Sequence, residues 1–105
     1  MLITTTSSIE GHKIEKYLGI ANGEAVIGSS VLNDLLAGFK DVVGGRSRNY
    51  EEIMRKAQSA ATNEMEKHAK AMGADAIVGV DIDFVTINKD MLMVGANGTA
   101  VKLAE

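Results

Sequence analysis

Apolar and polar residues alternate with one period in some stretches of the chain and another elsewhere, and each change marks an element. Leu2 to Thr6 reads as a short strand that stops at Ser7 and Ser8. His12 to Gly28 reads as a longer one. Its first half sets His12, Ile14, Lys16, Leu18 and Ile20 on one face and Lys13, Glu15 and Tyr17 on the other, an imperfect alternation. Asn22-Gly23 predicts a two-residue hairpin turn or a bulge, and with Gly19 it makes this region a bent or paired strand. From Val31 to Val43 the spacing lengthens to that of a helix: Leu32, Leu35, Leu36, Phe39, Val42 and Val43 fall on one stripe, Ser30 can cap the first turn, and Gly44-Gly45 ends it.

A second helix is marked more firmly. Asn49 suits its N-cap, Glu52 follows three residues later, and Gly73 stands just past its end. Ile53, Met54, Ala57, Ala60, Ala61, Met65, Ala69 and Met72 form an apolar face rich in small residues, one that can approach a sheet closely. The opposite face pairs Glu51 with Arg55, Glu52 with Lys56 and Glu66 with Lys70, each acid four residues ahead of its base. That order stabilises a helix by roughly 0.2 to 0.5 kcal/mol per pair. After Gly73 the period falls to two, which predicts a strand from about Ala76 to Ile87, with Val78, Val80, Ile82 and Phe84 on one face and Ile77, Gly79, Asp81, Asp83, Val85 and Ile87 on the other. Asn88-Lys89-Asp90 makes a turn, and Met91 to Leu103 returns as the second arm of an antiparallel hairpin. Strands, helix, helix, strands in this order predict a single α+β domain over residues 1–105, a mostly antiparallel sheet packed by helices.

Composition narrows the function. The 105 residues fit one core. With 46% hydrophobic and 24% charged residues the chain has the make-up of a water-soluble globule, and only 4% are aromatic, which leaves few rings for stacking on bases. A formal net charge of -3 and scattered basic residues argue against nucleic acid or an anionic membrane as partner. There is no cysteine, hence no disulfide and no thiolate metal ligand. The N-terminal MLITTTSSIEG lacks the charged and long apolar segments of a signal peptide, and no apolar run reaches membrane-spanning length, so a cytoplasmic location is expected.

The candidate chemistry is sparse. Asp81 and Asp83 share one face of a strand with Cα atoms roughly 6.5 to 7 Å apart, a spacing from which two carboxylates reach one hard divalent cation if waters or a third acid complete the shell. The same pair fits a strand at solvent or at a subunit interface, where the acids meet Lys, Arg or backbone donors. Glu64 and His68 lie one helical turn apart, which suits either a shared metal ion or a helix side-chain pair, and a complete site would need further ligands, from His12 or from another copy. Met91 and Met93 share a strand face and offer two thioethers to a soft ion, but methionine is also an ordinary core filler, as the stripe of Met54, Met65 and Met72 illustrates. Gly44, Gly45, Arg46 and Arg48 lead into a helix N-terminus, where amides and guanidinium groups can converge on a phosphate or carboxylate, or the arginines can pair with acids such as Asp41. The spacing is not that of a P-loop. With no cysteine, no G-x-S-x-G elbow and no Ser, His and Asp set, the chain is not expected to be an enzyme.

Thr4-Thr5, Glu10-Gly11, Gly23-Glu24-Ala25, Gly44-Gly45-Arg46-Ser47, Tyr50-Glu51, Gly73-Ala74-Asp75-Ala76-Ile77-Val78-Gly79, Asp81-Ile82-Asp83, Met91-Leu92-Met93-Val94 and Gly98-Thr99-Ala100-Val101 together resemble the YbjQ family of small bacterial proteins, named for heavy-metal binding and without an established function. The resemblance covers nearly the whole chain. It implies a dodecin-subunit-like α+β fold that assembles with copies of itself into a ring, a pentamer, and it implies no reaction. A soft-metal trap would be expected to use thiolates, which this chain lacks. The expected protein is thus a non-catalytic homo-oligomer holding a divalent metal ion or small anionic ligand between subunits, with a ligand-free interaction ring as the alternative.

Overall fold

The computed structural model describes residues 1–28, 48–88 and 91–105, with only the backbone of Arg48, Asn49, Tyr50 and Asn88. The expected helix over 31–43, the loop residues Gly44, Gly45 and Arg46, and the turn residues Lys89 and Asp90 lie outside the described residues. Strands β1 (Leu2–Ile3), β2 (Ile14–Ile27), β3 (Ala76–Asn88) and β4 (Met91–Leu103) form one sheet in the order β1-β3-β4-β2, and helix α1 (Arg48–Ala71) lies across it. The α+β class and the β3–β4 antiparallel hairpin match the sequence pattern; β1 alone is parallel to its neighbour.

α1 buries the small-residue stripe. Ala57, Ala61, Met65 and Ala69 are inaccessible or nearly so, with Ile53, Met54 and Met72 packed at the margin, while Ala60 is exposed, on the far side of the turn from the sheet. The expected ion pairs form at 3.7 Å (Glu51–Arg55), 3.5 Å (Glu52–Lys56) and 3.5 Å (Glu66–Lys70) on the solvent side. At the C-terminal end, the Gly73 N–H bonds the Lys70 carbonyl at 3.0 Å and the Ala74 N–H reaches the Ala69 carbonyl at 3.1 Å, the paired bonds of a glycine-terminated helix. The N-terminal expectation fails. The helix is already formed at Arg48, so Asn49 sits inside it rather than capping it.

Asn22-Gly23 is neither a turn nor a bulge. β2 runs straight through it, with Asn22 opposite Asn97 and Gly23 opposite Ala96, and its register shifts fall earlier, between Ile14 and Lys16 and between Tyr17 and Gly19. Gly23 is required for another reason: a Cβ there would collide with the Ala61 carbonyl oxygen and lie 2.5 Å from the Met65 nitrogen, so its missing side chain lets the helix backbone settle on the strand.

The phase expected for β3 is also corrected. Between Val78, opposite Thr99, and Asp81, opposite Asn97, β3 advances three residues while β4 advances two, a bulge at Gly79, whose φ of +62° suits glycine. The bulge reverses the inside–outside pattern, so that Ile77 joins Val80 and Ile82 against the helix while Val78 turns to the other side. The chain after β1 takes up the displaced backbone groups: the Gly79 N–H bonds the Thr6 carbonyl at 2.8 Å and the Val80 N–H the Thr4 carbonyl at 3.0 Å. Thr4 and Thr6 hydroxyls bond each other at 2.8 Å and stiffen that segment.

The two faces of the sheet are unequal. The main core, with Ala21, Ile27, Val94, Ala96 and Ala100, lies under α1. On the other face the described residues cover one end, where Ile9, Ile14 and Leu103 pack on Ala76, Val78 and Val101. Further along it Ile20, Val26, Val85 and Ile87 stand exposed.

Candidate functional site

Ile82 packs toward α1, so its neighbours Asp81 and Asp83 project from the opposite, largely uncovered face, and both are exposed. A hydrogen bond with the Asp81 carboxylate, together with its charge, raises the pKa of Asp83 above the ordinary 3.8, with slight desolvation adding to the shift. Asp83 thus gives up its proton less readily than a free carboxyl, and a cation between the two carboxylates would relieve the same repulsion.

Register supplies a third acid that the linear sequence does not connect to the pair. Asp83 lies opposite Gly95 on β4, and Gly95 lies opposite Glu24 on β2, so one row across the open face reads Glu24, Gly95, Asp83. The next row reads Asn22, Asn97, Asp81. Glu24 and Asp83 stand two strand spacings apart, about 10 Å between Cα atoms, with only a glycine between them. The one signal of Glu24 in the sequence is its place among small residues in Gly23-Glu24-Ala25; its nearness to Asp83 depends on the pairing of three strands. Among the described residues no three His, Asp or Glu side chains come together closely enough to hold a metal ion.

Glu64 and His68 belong to a different place. Both are on α1, on the covered side of the sheet, and so are separated by the sheet from Asp81 and Asp83. The His68 Nδ1 accepts a 3.1 Å hydrogen bond from the Asn22 backbone N–H, so the neutral ring carries its proton on Nε2 and, held this way, has no lone pair free for a metal. The four expected metal residues are therefore two separate pairs within one subunit. His12 is exposed, in a short bridge with Ile9. Met91 and Met93 are both half-buried in β4, as packing residues are. Of the expected anion loop only Arg48 falls in a described element, the first residue of α1; its side chain lies outside the described residues.

At the other end of the sheet a groove of about 620 Å³ is lined by Lys13 and Lys102 together with Glu15, Asp75 and Glu105. Its charges are mixed, and Asp75 is engaged structurally, its Oδ2 accepting the Leu103 N–H at 2.9 Å. Among the described residues no helix is long and apolar enough to cross a membrane.

The fold and this face define a small α+β protein with an acidic, partly apolar open sheet. Residues 1–104 match the family YbjQ, described as "Putative heavy-metal-binding", and the chain belongs to that family. It is 53% identical over 103 residues to a UPF0145 protein of Halalkalibacterium halodurans, covering 98% of this chain and 96% of the relative. It is 50% identical over 105 residues to a UPF0145 protein of Anoxybacillus flavithermus, covering all of both chains. Its fold is similar to the crystal structure of a protein of unknown function of the DUF74 family from Pediococcus pentosaceus, with a TM-score of 0.67 at 18% identity over 99% of this chain and 98% of the other.

Proposed function

We propose that this chain is a non-catalytic cytoplasmic homo-oligomer, a dodecin-like ring and by family resemblance a pentamer, that binds a divalent cation where the open sheet faces of its subunits meet. The observation that supports this reading is the Asp81–Asp83 pair, two exposed carboxyl groups on one strand face, near enough for Asp81 to raise the pKa of Asp83. Two like charges held side by side favour a cation between them. The described residues of one subunit offer too few ligands, so another subunit or waters complete the shell, and Glu24, beyond Gly95, is the next acid along the row.

Asp81, Asp83 and Glu24 offer carboxylates, which favour a hard cation over the soft heavy metals of the family description; Met93 shares this face opposite Val26 and Val85, but the chain has no cysteine with which to hold a soft ion. A small anionic ligand at Gly44, Gly45, Arg46 and Arg48 is the companion proposal.

Elemental analysis of protein purified without a metal-affinity tag, and a thermal-shift series with divalent ions and phosphorylated metabolites, test both ligands. A retained ion, or a melting point raised by a divalent ion and no longer raised in Asp81→Asn/Asp83→Asn, is the expected result. A shift that survives the double substitution places the site elsewhere; no retention and no shift removes the binding reading. Light scattering at low micromolar concentration tests the ring, and a monomer there contradicts it. A second reading, an interaction ring without ligand, draws on the exposed Ile20, Val26, Val85 and Ile87, and it predicts assembly with no ligand-dependent shift.

A further inference from the structure

We propose that the groove at the end of the sheet, where β2 begins and β4 ends, binds a small zwitterion: a molecule with one carboxylate and one ammonium group, such as a free amino acid or a dipeptide. The groove has a volume of about 620 Å³, within the range of small-molecule sites, and Lys13, Glu15, Asp75 and Lys102 are among its lining residues. It is separate from the Asp81–Asp83 pair, since Asp81 lies opposite Asn97, five residues before Lys102 on β4. Register sets the positive side. Lys16 on β2 stands directly opposite Lys102, so two ammonium side chains rise from one face with Cα atoms about 5 Å apart. Like charges so placed oppose the pairing of their strands, and Lys13 adds a third amine at the groove. Among the described residues none of these lysines forms an ion pair, although Glu15 and Asp75 line the same groove. A carboxylate arriving beside Lys102 relieves that repulsion.

Asp75 supplies the opposite charge, and the fold fastens it beside Lys102. Its N–H bonds the Val101 carbonyl at 2.8 Å and its Oδ2 accepts the Leu103 N–H at 2.9 Å, so it is tied to the residues on both sides of Lys102. The second bond turns the carboxylate toward the backbone, which is why Asp75 does not neutralise its lysine neighbour. Its Oδ1 is left unengaged among the described residues and accepts a hydrogen bond from an ammonium group. A purely anionic ligand would meet Asp75 and Glu15 as well as the lysines, and a purely cationic one would meet Lys13 and Lys102. A ligand carrying both charges satisfies both sides, with its carboxylate on Lys102 and Lys13 and its ammonium on Asp75.

The test adds glycine and glycylglycine, zwitterions of two lengths, to the full chain and compares them with acetate and methylamine, which carry one charge each. Followed by amide NMR, one or both zwitterions should shift the Asp75, Leu103 and Ala104 signals in a saturable way and leave Val94 and Ala96, in the centre of β4, unmoved. Acetate and methylamine should bind about tenfold more weakly or less. Lys102→Gln and Asp75→Asn should each weaken the zwitterion about tenfold, the loss expected for one charge-assisted contact. Asp75→Asn keeps an oxygen for the Leu103 N–H, so slow exchange of that amide shows the strand end still folded. If it quickens, Lys102→Gln, at an exposed side chain, carries the test alone. No saturable shift with either zwitterion, acetate or methylamine binding as tightly, or a Lys102→Gln variant that binds like the wild type would each overturn the proposal.

Discussion

The Cα of Gly23 on β2 lies against the carbonyl oxygen of Ala61 on α1, in space that the methyl group of an alanine would fill. The contact involves backbone on the helix side, so no rotamer change can relieve it. The small-residue stripe of Ala57, Ala61 and Ala69 has its counterpart in this glycine, and together they set how near the helix comes to the strand.

Gly23→Ala should therefore destabilise the fold by about 1–3 kcal/mol or more, the range for an overpacked core. Gly95→Ala is the control: nothing lies within 4 Å of its added Cβ, and the change should stay within about 0.5 kcal/mol. Urea denaturation of both variants checks the contrast, and equal midpoints would mean that the helix shifts freely.

Gly79→Ala tests the bulge. Space is open around that position, so only the φ of +62° opposes a side chain. The expected cost is about 1–2 kcal/mol, that of a left-handed conformation for an L-residue. Chemical denaturation reads it, and an unaffected Gly79→Ala would show that the bulge tolerates other backbone angles.

Asp83 sets a pH dependence whose sign follows from its raised pKa. Between the ordinary 3.8 and the higher folded value, the folded chain holds a proton that the unfolded chain has released. This contribution to stability accordingly falls as pH rises through that window and stays lower above it. Asp83→Asn should melt above wild type at neutral pH in the absence of divalent ions, and the gap should close on acidification below 3.8. Melting curves across pH settle the matter; a lower melting point for Asp83→Asn at neutral pH would mean that the carboxylate stabilises the fold.

Among the described residues of α1, Met65 is the largest side chain that is wholly buried. Met65→Ala should cost about 2–5 kcal/mol, depending on how far α1 and the sheet close over the gap. Met72, half-buried near Gly19, should cost less on the same substitution. Thermal denaturation of both variants gives the order, and a reversed order would place the centre of the core nearer the helix end.

Much of the fold is legible in residues near one another along the chain. The apolar stripe of α1, its glycine stop and its three acid–base pairs are settled by a repeat of three to four residues, and the β3–β4 hairpin by a period of two. Those signals come from contacts within an element or across one turn. The failures share a different origin. Asn22-Gly23 has the composition of a turn, but pairing with Asn97 and Ala96 holds the strand straight, and the glycine answers to the helix above it. An uninterrupted period of two cannot reveal that Gly79 inserts an extra residue and reverses the pattern of Ile77 and Val78.

The candidate site divides in the same way. That Asp81 and Asp83 share a face follows from their spacing alone, because successive side chains of a strand alternate. That Glu24 stands beyond Gly95 from them, that Glu64 and His68 lie on the other side of the sheet, and that His68 reaches the Asn22 N–H depend on strand register and on the seating of α1. By itself, then, the sequence determined the kind of element each segment forms and the side chains that share a face within it, since short-range sterics and side-chain burial decide both. Only the tertiary structure decided the partners of those faces and edges, because register and helix seating are set by packing between residues far apart in the chain, where a missing Cβ at Gly23 or one extra residue at Gly79 changes the outcome.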